Sequence, residues 1–168
     1  MQYSPSLRTT TISEIERGTC FAFELRNETF FGIAVEPRGG TELALVVVSP
    51  GHPSLEGQVG IFDGSVVRNR TLLAFPEARI ILPTAREHMH VDFNEFHMPP
   101  GALFLAKDAL VIAASDGSRS WGFNAADGAI VRGDLTGSAW FSAWEIAVPD
   151  IKGEWQTLCH VSTKSSEE

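Results

Sequence analysis

Apolar and polar residues alternate along much of the chain, in short runs separated by turn residues. The first pair of runs begins at Thr19. Its first run has phenylalanines two positions apart, at Phe21 and Phe23, and its second run has Phe31, after a polar turn at 26–28. A period of two indicates strands with one buried face, because successive side chains of a strand point to opposite sides. The chain therefore predicts a β-hairpin at its first periodic segment.

Further short apolar runs follow, with turn sequences such as Asp116-Gly117 and Asp127-Gly128 between them. Aspartate and glycine favour tight turns, since both tolerate the positive φ that such turns require. Strands roughly 8–12 residues apart with turns of this kind are typical of an antiparallel sandwich or barrel. We therefore predict an all-β fold, mainly antiparallel, of about ten short strands and without the alternating helices of a parallel sheet.

The predicted β-rich domain is single and covers 11–162. Residues 1–10 are polar and without periodicity, which predicts a loose N-terminal arm, and residues 163–168 form a polar tail. At the start of the domain a capping-box spacing predicts one helical turn near 12–17.

Composition narrows the class of protein. The 168 residues are 43% hydrophobic and include eleven Phe and four Trp, enough for a core that needs no structural metal or disulfide. A net charge of −8 with scattered basic residues argues against nucleic acid as a partner. The chain has two cysteines and no signal-like N-terminus, and no apolar run approaches the roughly 20 residues that span a bilayer. These features predict an acidic, soluble, cytoplasmic protein with no membrane partner.

The segment 83–101 departs from the strand pattern, and two interpretations of it lead to different chemistry. Thr84 and Glu87 have the spacing of a capping box, and a Pro-Pro-Gly sequence would end the helix. A methionine and two phenylalanines at i, i+4 and i+7 would pack such a helix against the sheet. We favour a short helix at 84–98 whose histidines face solvent.

In an extended conformation the same segment would direct His88 and His90 to one side. Together with Glu95, this pair resembles part of the first metal motif of the cupin family, a β-barrel family in which two His, a Glu and a later His hold a metal. Two histidines and a carboxylate would suit a divalent ion such as Zn, Mn or Fe, and His97 would serve as an extra ligand or base. The sequence departs from the motif in three ways. Leu82 stands where the family has glycine, and the glycine that follows Glu95 comes one residue early. A second motif with the later histidine is also missing.

Tryptophans support another hypothesis. Trp140 and Trp144 fall on one face of the apolar run 139–148, and Trp121 and Trp155 lie on other predicted strands. Indole rings that are incompletely covered make good surfaces for a ligand or a protein partner.

No complete catalytic arrangement can be assembled from the sequence. Cys159 and His160 are adjacent, so on a strand they would point to opposite faces, and no nucleophile elbow or phosphate-binding loop is present. We therefore predict a non-catalytic module that binds a small ligand or a protein and has no cofactor. The alternative is a metal-dependent, cupin-like barrel enzyme that uses His88, His90 and Glu95. Edge strands also allow a homo-oligomer.

Overall fold

Strands make up almost all of the regular structure in the computed structural model, which describes residues 7–25, 27–37, 44–48, 59–91, 93 and 98–163. The fifteen strands of these residues are β1 (Arg8–Thr10), β2 (Cys20–Leu25), β3 (Glu28–Val35), β4 (Ala44–Val48), β5 (Gly60–Asp63), β6 (Leu72–Phe75), β7 (Arg79–Ile81), β8 (Met89–His90), β9 (Leu103–Ala106), β10 (Ala109–Ser115), β11 (Ser120–Asn124), β12 (Ile130–Val131), β13 (Ala139–Phe141), β14 (Ala143–Pro149) and β15 (Trp155–Ser162). The helical structure there consists of two 3₁₀ turns, Gly64–Val67 and Arg86–His88. None of the described residues belongs to a helix that is long and apolar enough to cross a membrane. The prediction of an all-β fold is confirmed.

The strands form two sheets. The large sheet has twelve strands in the order β1-β6-β2-β3-β4-β5-β10-β9-β13-β8, with β11 and β12 added beside β10, and the small sheet has the order β15-β14-β7. All neighbours are antiparallel except at one contact between β10 and β5, where Ser115 pairs with Gly60. No pairing among the described residues joins β1 to β8, so the large sheet is open. The structure therefore supports a sandwich and not a closed barrel.

The two sheets pack on each other through one central core. It draws buried side chains from the large sheet, such as Ile33 and Ile112, and from the small sheet, such as Ile146 and Val161. The period of two in the sequence gives the large sheet two apolar faces. Alternate residues of β2 and β3 point into the central core, and the residues between them point to the far face of the large sheet. On that far face Phe21, Phe23 and Phe30 belong to a second cluster.

A pair of glycines joins the N-terminal and C-terminal parts of the large sheet. Gly18 (φ +81°) donates its N–H to the carbonyl of Ala34 at 2.7 Å, and the carbonyl of Gly128 (φ +67°) accepts from the N–H of Glu36 at 2.8 Å. A Cβ atom on Gly128 would lie 2.5 Å from the carbonyl oxygen of Ala34 and 2.9 Å from the nitrogen of Gly18. The backbones approach this closely only because neither residue has a side chain.

The helix predicted at 84–98 is not formed in the described part of that segment, which contains the 3₁₀ turn Arg86–His88 and strand β8. Pairing with β13 places His90 opposite Trp140 and supplies hydrogen bonds to a segment that has local helix signals. A helix would put Met89 and Phe93 on one face, but Met89 is 46% exposed and Phe93 is 6% exposed. Long-range pairing therefore overrides the capping signals, and the helix prediction is wrong there.

Part of the predicted N-terminal arm forms a strand. Arg8–Thr10, which belong to the predicted arm 1–10, form β1 and pair with β6 along the edge of the large sheet. Where one helical turn was predicted near 12–17, the N–H groups of Glu14 and Ile15 both donate to the carbonyl of Thr11, at 3.1 and 3.2 Å, and this hydrogen-bonded turn does not continue as a helix. The domain boundaries at 11 and 162 stay predictions.

Candidate functional site

A cleft of about 760 Å³ opens between the two sheets beside the central core. We call it the inter-sheet cleft. The large sheet lines it with residues of β2, β3 and β6, and the small sheet lines it with residues of β14, β15 and the turn between them. Its volume falls in the range of roughly 300–1,000 Å³ that is usual for small-molecule sites.

The floor of the cleft is apolar because it continues the central core. Ala22 lies opposite Phe31 on one side and opposite Leu73 on the other, and directly opposed residues share one face of a sheet. Val148 and Leu158 complete the floor from the small sheet. Leu73 is 41% exposed and Phe31 is half-buried, whereas Ala22 is buried, so Leu73 and Phe31 provide the apolar surface of this row that is open to solvent.

The next row of the large sheet is polar and forms the rim. Here Glu24 lies opposite Thr29, two positions along each strand from the apolar row. The Nη1 atom of Arg70 donates a hydrogen bond of 2.8 Å to the backbone carbonyl of Glu24. Within the described part of the chain no carboxylate pairs with this guanidinium, which leaves its other N–H groups available for a ligand.

The rim contributed by the small sheet is the turn between β14 and β15. One oxygen of Asp150 accepts from the N–H groups of Lys152 and Glu154, at 2.7 and 2.9 Å, and the other accepts from the side chain of Gln156 at 3.4 Å. The carboxylate of Asp150 is therefore used to hold the turn. Glu24 is the other acidic side chain among the described residues that line the cleft.

A smaller groove of about 410 Å³ lies on the outer face of the small sheet and contains an acid–imidazole pair. Glu145 lies opposite His160, and Oε1 of Glu145 is 3.0 Å from Nδ1 of His160. The other oxygen, Oε2, accepts a 2.6 Å hydrogen bond from the hydroxyl of Thr157. A carboxylate that holds Nδ1 in this way favours the tautomer whose Nε2 accepts a proton. His88 lines the same groove, and its imidazole is 3.6 Å from the carboxylate of Glu87.

Two of the four predicted metal ligands, His88 and His90, are described, and they lie in different elements. His88 belongs to a 3₁₀ turn, so the alternation of a strand does not relate it to His90. His90 stacks on Trp140, with ring centroids 4.2 Å apart, and its Nε2 lies 3.1 Å from the hydroxyl of Ser142. The other two predicted ligands, Glu95 and His97, lie outside the described residues. No group of three or more His, Cys, Asp or Glu side chains that could hold a metal ion occurs among the residues that are described.

Trp140 and Trp144 do not share a surface. The run 139–148, predicted as one strand, is divided at Ser142 into β13 of the large sheet and β14 of the small sheet. Trp144 is 1% exposed in the central core and donates its indole N–H to the carbonyl of Gly101 at 2.8 Å, so its prediction as a surface residue is wrong. Trp140 is half-buried against His90.

Trp121 and Trp155 are also separate from each other. Trp155 is 43% exposed, and the guanidinium carbon of Arg79 lies 4.7 Å from its ring centroid on the outer face of the small sheet. Trp121 is half-buried at the margin of the central core, with its indole N–H 3.4 Å from the carboxylate of Asp116. The four tryptophans therefore do not form one aromatic surface.

The two thiols are buried in the central core. Burial and, to a smaller extent, the nearby Cys159 raise the pKa of Cys20 to about 12. Burial also raises the pKa of Cys159 to about 12, although a hydrogen bond with the backbone of Ile146 opposes this shift. Cys159 faces inward, whereas the side chain of His160 is 74% exposed, so the prediction that they form no dyad is confirmed.

Sequence reasoning missed the residues of the inter-sheet cleft. They come from β2, β3, β6, β14, β15 and the segments next to β6 and β14, and no local motif connects them. The one usable signal was Arg70 at the start of a short apolar run, a pattern too common to indicate a site.

Comparison with known proteins finds no matching protein-family model, curated protein or solved structure. The function therefore has to be inferred from the geometry of the cleft and its surroundings.

Proposed function

We propose that the protein is a non-catalytic binding module and that the inter-sheet cleft binds a small amphipathic ligand. The observation that carries the proposal is the apolar row Leu73–Ala22–Phe31, which continues the central core to the surface and ends at a polar rim. A ligand with an apolar body and a polar end would match both parts of this surface.

Exposed apolar surface in a concave site supports binding. Removing apolar surface from water contributes roughly 25 cal/mol per Å², so a ligand that covers Leu73 and its neighbours gains affinity from the floor alone. Polar groups at one end would then fix its orientation, as is usual in small-molecule sites.

The chemistry of the lining favours binding over catalysis. No histidine or cysteine lines the cleft in the part of the chain that the structure describes, and its charged side chains there are Glu24, Arg70 and Asp150. Carboxylates can also transfer protons, but Asp150 is hydrogen-bonded within its own turn, and Glu24 has no histidine or cysteine beside it among the described lining residues. A protein partner is less well matched to this concave site than a small molecule. The cytoplasmic location and the exclusion of nucleic acid remain predictions from the sequence.

The proposal is tested by titrating the protein with Nile red, a neutral dye that fluoresces in apolar sites. We expect saturable binding, and we expect Leu73→Glu to weaken it about tenfold or more, because a carboxylate on the floor must be desolvated when the dye binds. The matched control is Leu105→Glu, which makes the same change at a leucine of β9 that is 51% exposed and does not line the cleft.

Both variants are first checked for folding by circular dichroism and urea unfolding. Non-saturable dye binding by the wild-type protein, or equal effects of the two substitutions, would contradict a ligand site in the cleft.

A further inference from the structure

We propose that the ligand of the inter-sheet cleft is an organic acid, whose anionic group binds Arg70 while its apolar body lies on the floor. This inference rests on the proposed function and assigns the chemical class of the ligand. Its basis is the position of one oriented guanidinium next to the apolar row.

Arg70 is held at both its backbone and its side chain. Its N–H donates to the carbonyl of Val67 at 2.9 Å, which closes the turn after the first 3₁₀ turn. Its Nη1 donates a hydrogen bond to the carbonyl of Glu24, a neutral partner that orients the guanidinium without neutralising its charge. An arginine oriented in this way loses little conformational freedom on binding and presents a planar set of donors that matches a carboxylate.

The spacing of the rows suits a molecule with an acidic end and an apolar body. Residues two positions apart on a strand lie about 7 Å apart on the same face. The polar row of Glu24 and Thr29 is therefore about 7 Å from the apolar row of Ala22 and Phe31. An anionic group beside Arg70 places the next carbons of the ligand over the apolar row.

The other rim groups favour an anion over a cation. The carboxylate of Asp150 already accepts three hydrogen bonds within its own turn. Asn69, Thr71 and Gln156 add neutral side chains that can donate hydrogen bonds. Glu24 is the group that opposes an anion, so its charge should lower the affinity for an acid.

The test compares three ligands with the same ten-carbon chain, decanoate, decan-1-ol and decylamine, as competitors of Nile red at neutral pH and low salt. Wild-type protein should bind decanoate about tenfold more tightly than decan-1-ol, because a charge-assisted hydrogen bond is worth more than a neutral one. Arg70→Gln should weaken the binding of decanoate and so abolish this preference. Arg70→Lys should retain part of it, and Glu24→Gln should increase it.

The matched control is Arg132→Gln, which removes an exposed arginine that does not line the cleft. Added salt should reduce the preference for decanoate, because Arg70 is exposed and its charge is screened.

The possible failures are distinguishable. Equal affinity for decanoate and decan-1-ol, or a preference for decanoate that survives Arg70→Gln, overturns the assignment of an acid and leaves the binding function standing. A preference for decylamine that depends on Glu24 overturns it in favour of a cationic ligand. If neither Nile red nor any competitor binds, the proposed function fails and the inference fails with it.

Discussion

Trp144 and Trp140 show how much of a residue's role depends on its partners in space. Their spacing places both on one face of a single strand, and that inference is sound for an unbroken strand. The chain instead changes sheets at Ser142, whose N–H donates to the carbonyl of His88 at 2.9 Å. Trp144 then enters the central core, where its indole N–H meets the carbonyl of Gly101. The sequence identifies both residues as aromatic anchors but gives no signal that the strand is interrupted between them.

At the residue scale, we expect Trp144→Phe to lower the free energy of unfolding by about 2–3 kcal/mol. The change removes buried volume and leaves the carbonyl of Gly101 without its indole donor. Trp155→Phe is the control, because that ring is 43% exposed, and we expect a change within about 0.5 kcal/mol. Urea unfolding followed by circular dichroism measures both values. Equal losses would show that Trp144 does not have the structural role described above.

The elements that the sequence predicted well are those whose pairing is local. The hairpin of β2 and β3 turns at Asn27, which has a φ of +64°, and β10 and β11 are joined through Gly117. In both hairpins the alternation and the turn residues lie within one short stretch, so the pattern contains the information needed. Strand β8 differs, because it pairs with β13 about fifty residues later and its local signals favour a helix.

The junction of Gly18 and Gly128 gives a prediction at the scale of elements. We expect Gly117→Ala to lower the free energy of unfolding by about 1–2 kcal/mol, because a φ of +88° is unfavourable for alanine. Its Cβ would meet no atom within 4 Å, so no clash adds to this loss. Gly128→Ala has the same kind of backbone strain, and its free energy of unfolding should fall by a further ~1–3 kcal/mol, because its Cβ would clash with the carbonyl of Ala34. Urea unfolding of the two variants tests the difference. If they are equally stable, the close contact between the two parts of the sheet is not required.

At the scale of the whole molecule, the fold class could be predicted and the candidate site could not. Alternation and turn residues are local properties that recur along the chain, so they indicate an all-β protein even when single elements are wrong. The inter-sheet cleft depends on the register between β6, β2 and β3 and on how far β15 covers them, as the row Leu73–Ala22–Phe31 shows. Neither property follows from the residues of one strand.

The packing of the two sheets also places Cys20 and Cys159 in one core, which gives the molecule a characteristic response to alkaline pH. Both thiols have a pKa of about 12 in the folded protein, against an ordinary value of 9.0. The folded state therefore holds these protons more tightly than the unfolded state, and their contribution to stability is complete below about pH 9 and is lost as the pH rises toward 12.

We expect each thiol to lower the free energy of unfolding by up to about 1.4 kcal/mol per pH unit in this range. Urea unfolding at a series of pH values from neutral to alkaline measures the decline. A double variant, Cys20→Ala and Cys159→Ala, should be less stable at neutral pH, because it leaves small cavities, but should lose stability less steeply above about pH 9. The two proteins differ only at these two residues, so the difference between the two slopes isolates the thiols. Parallel slopes would mean that the thiols reach solvent and that the two sheets do not enclose them in a common core.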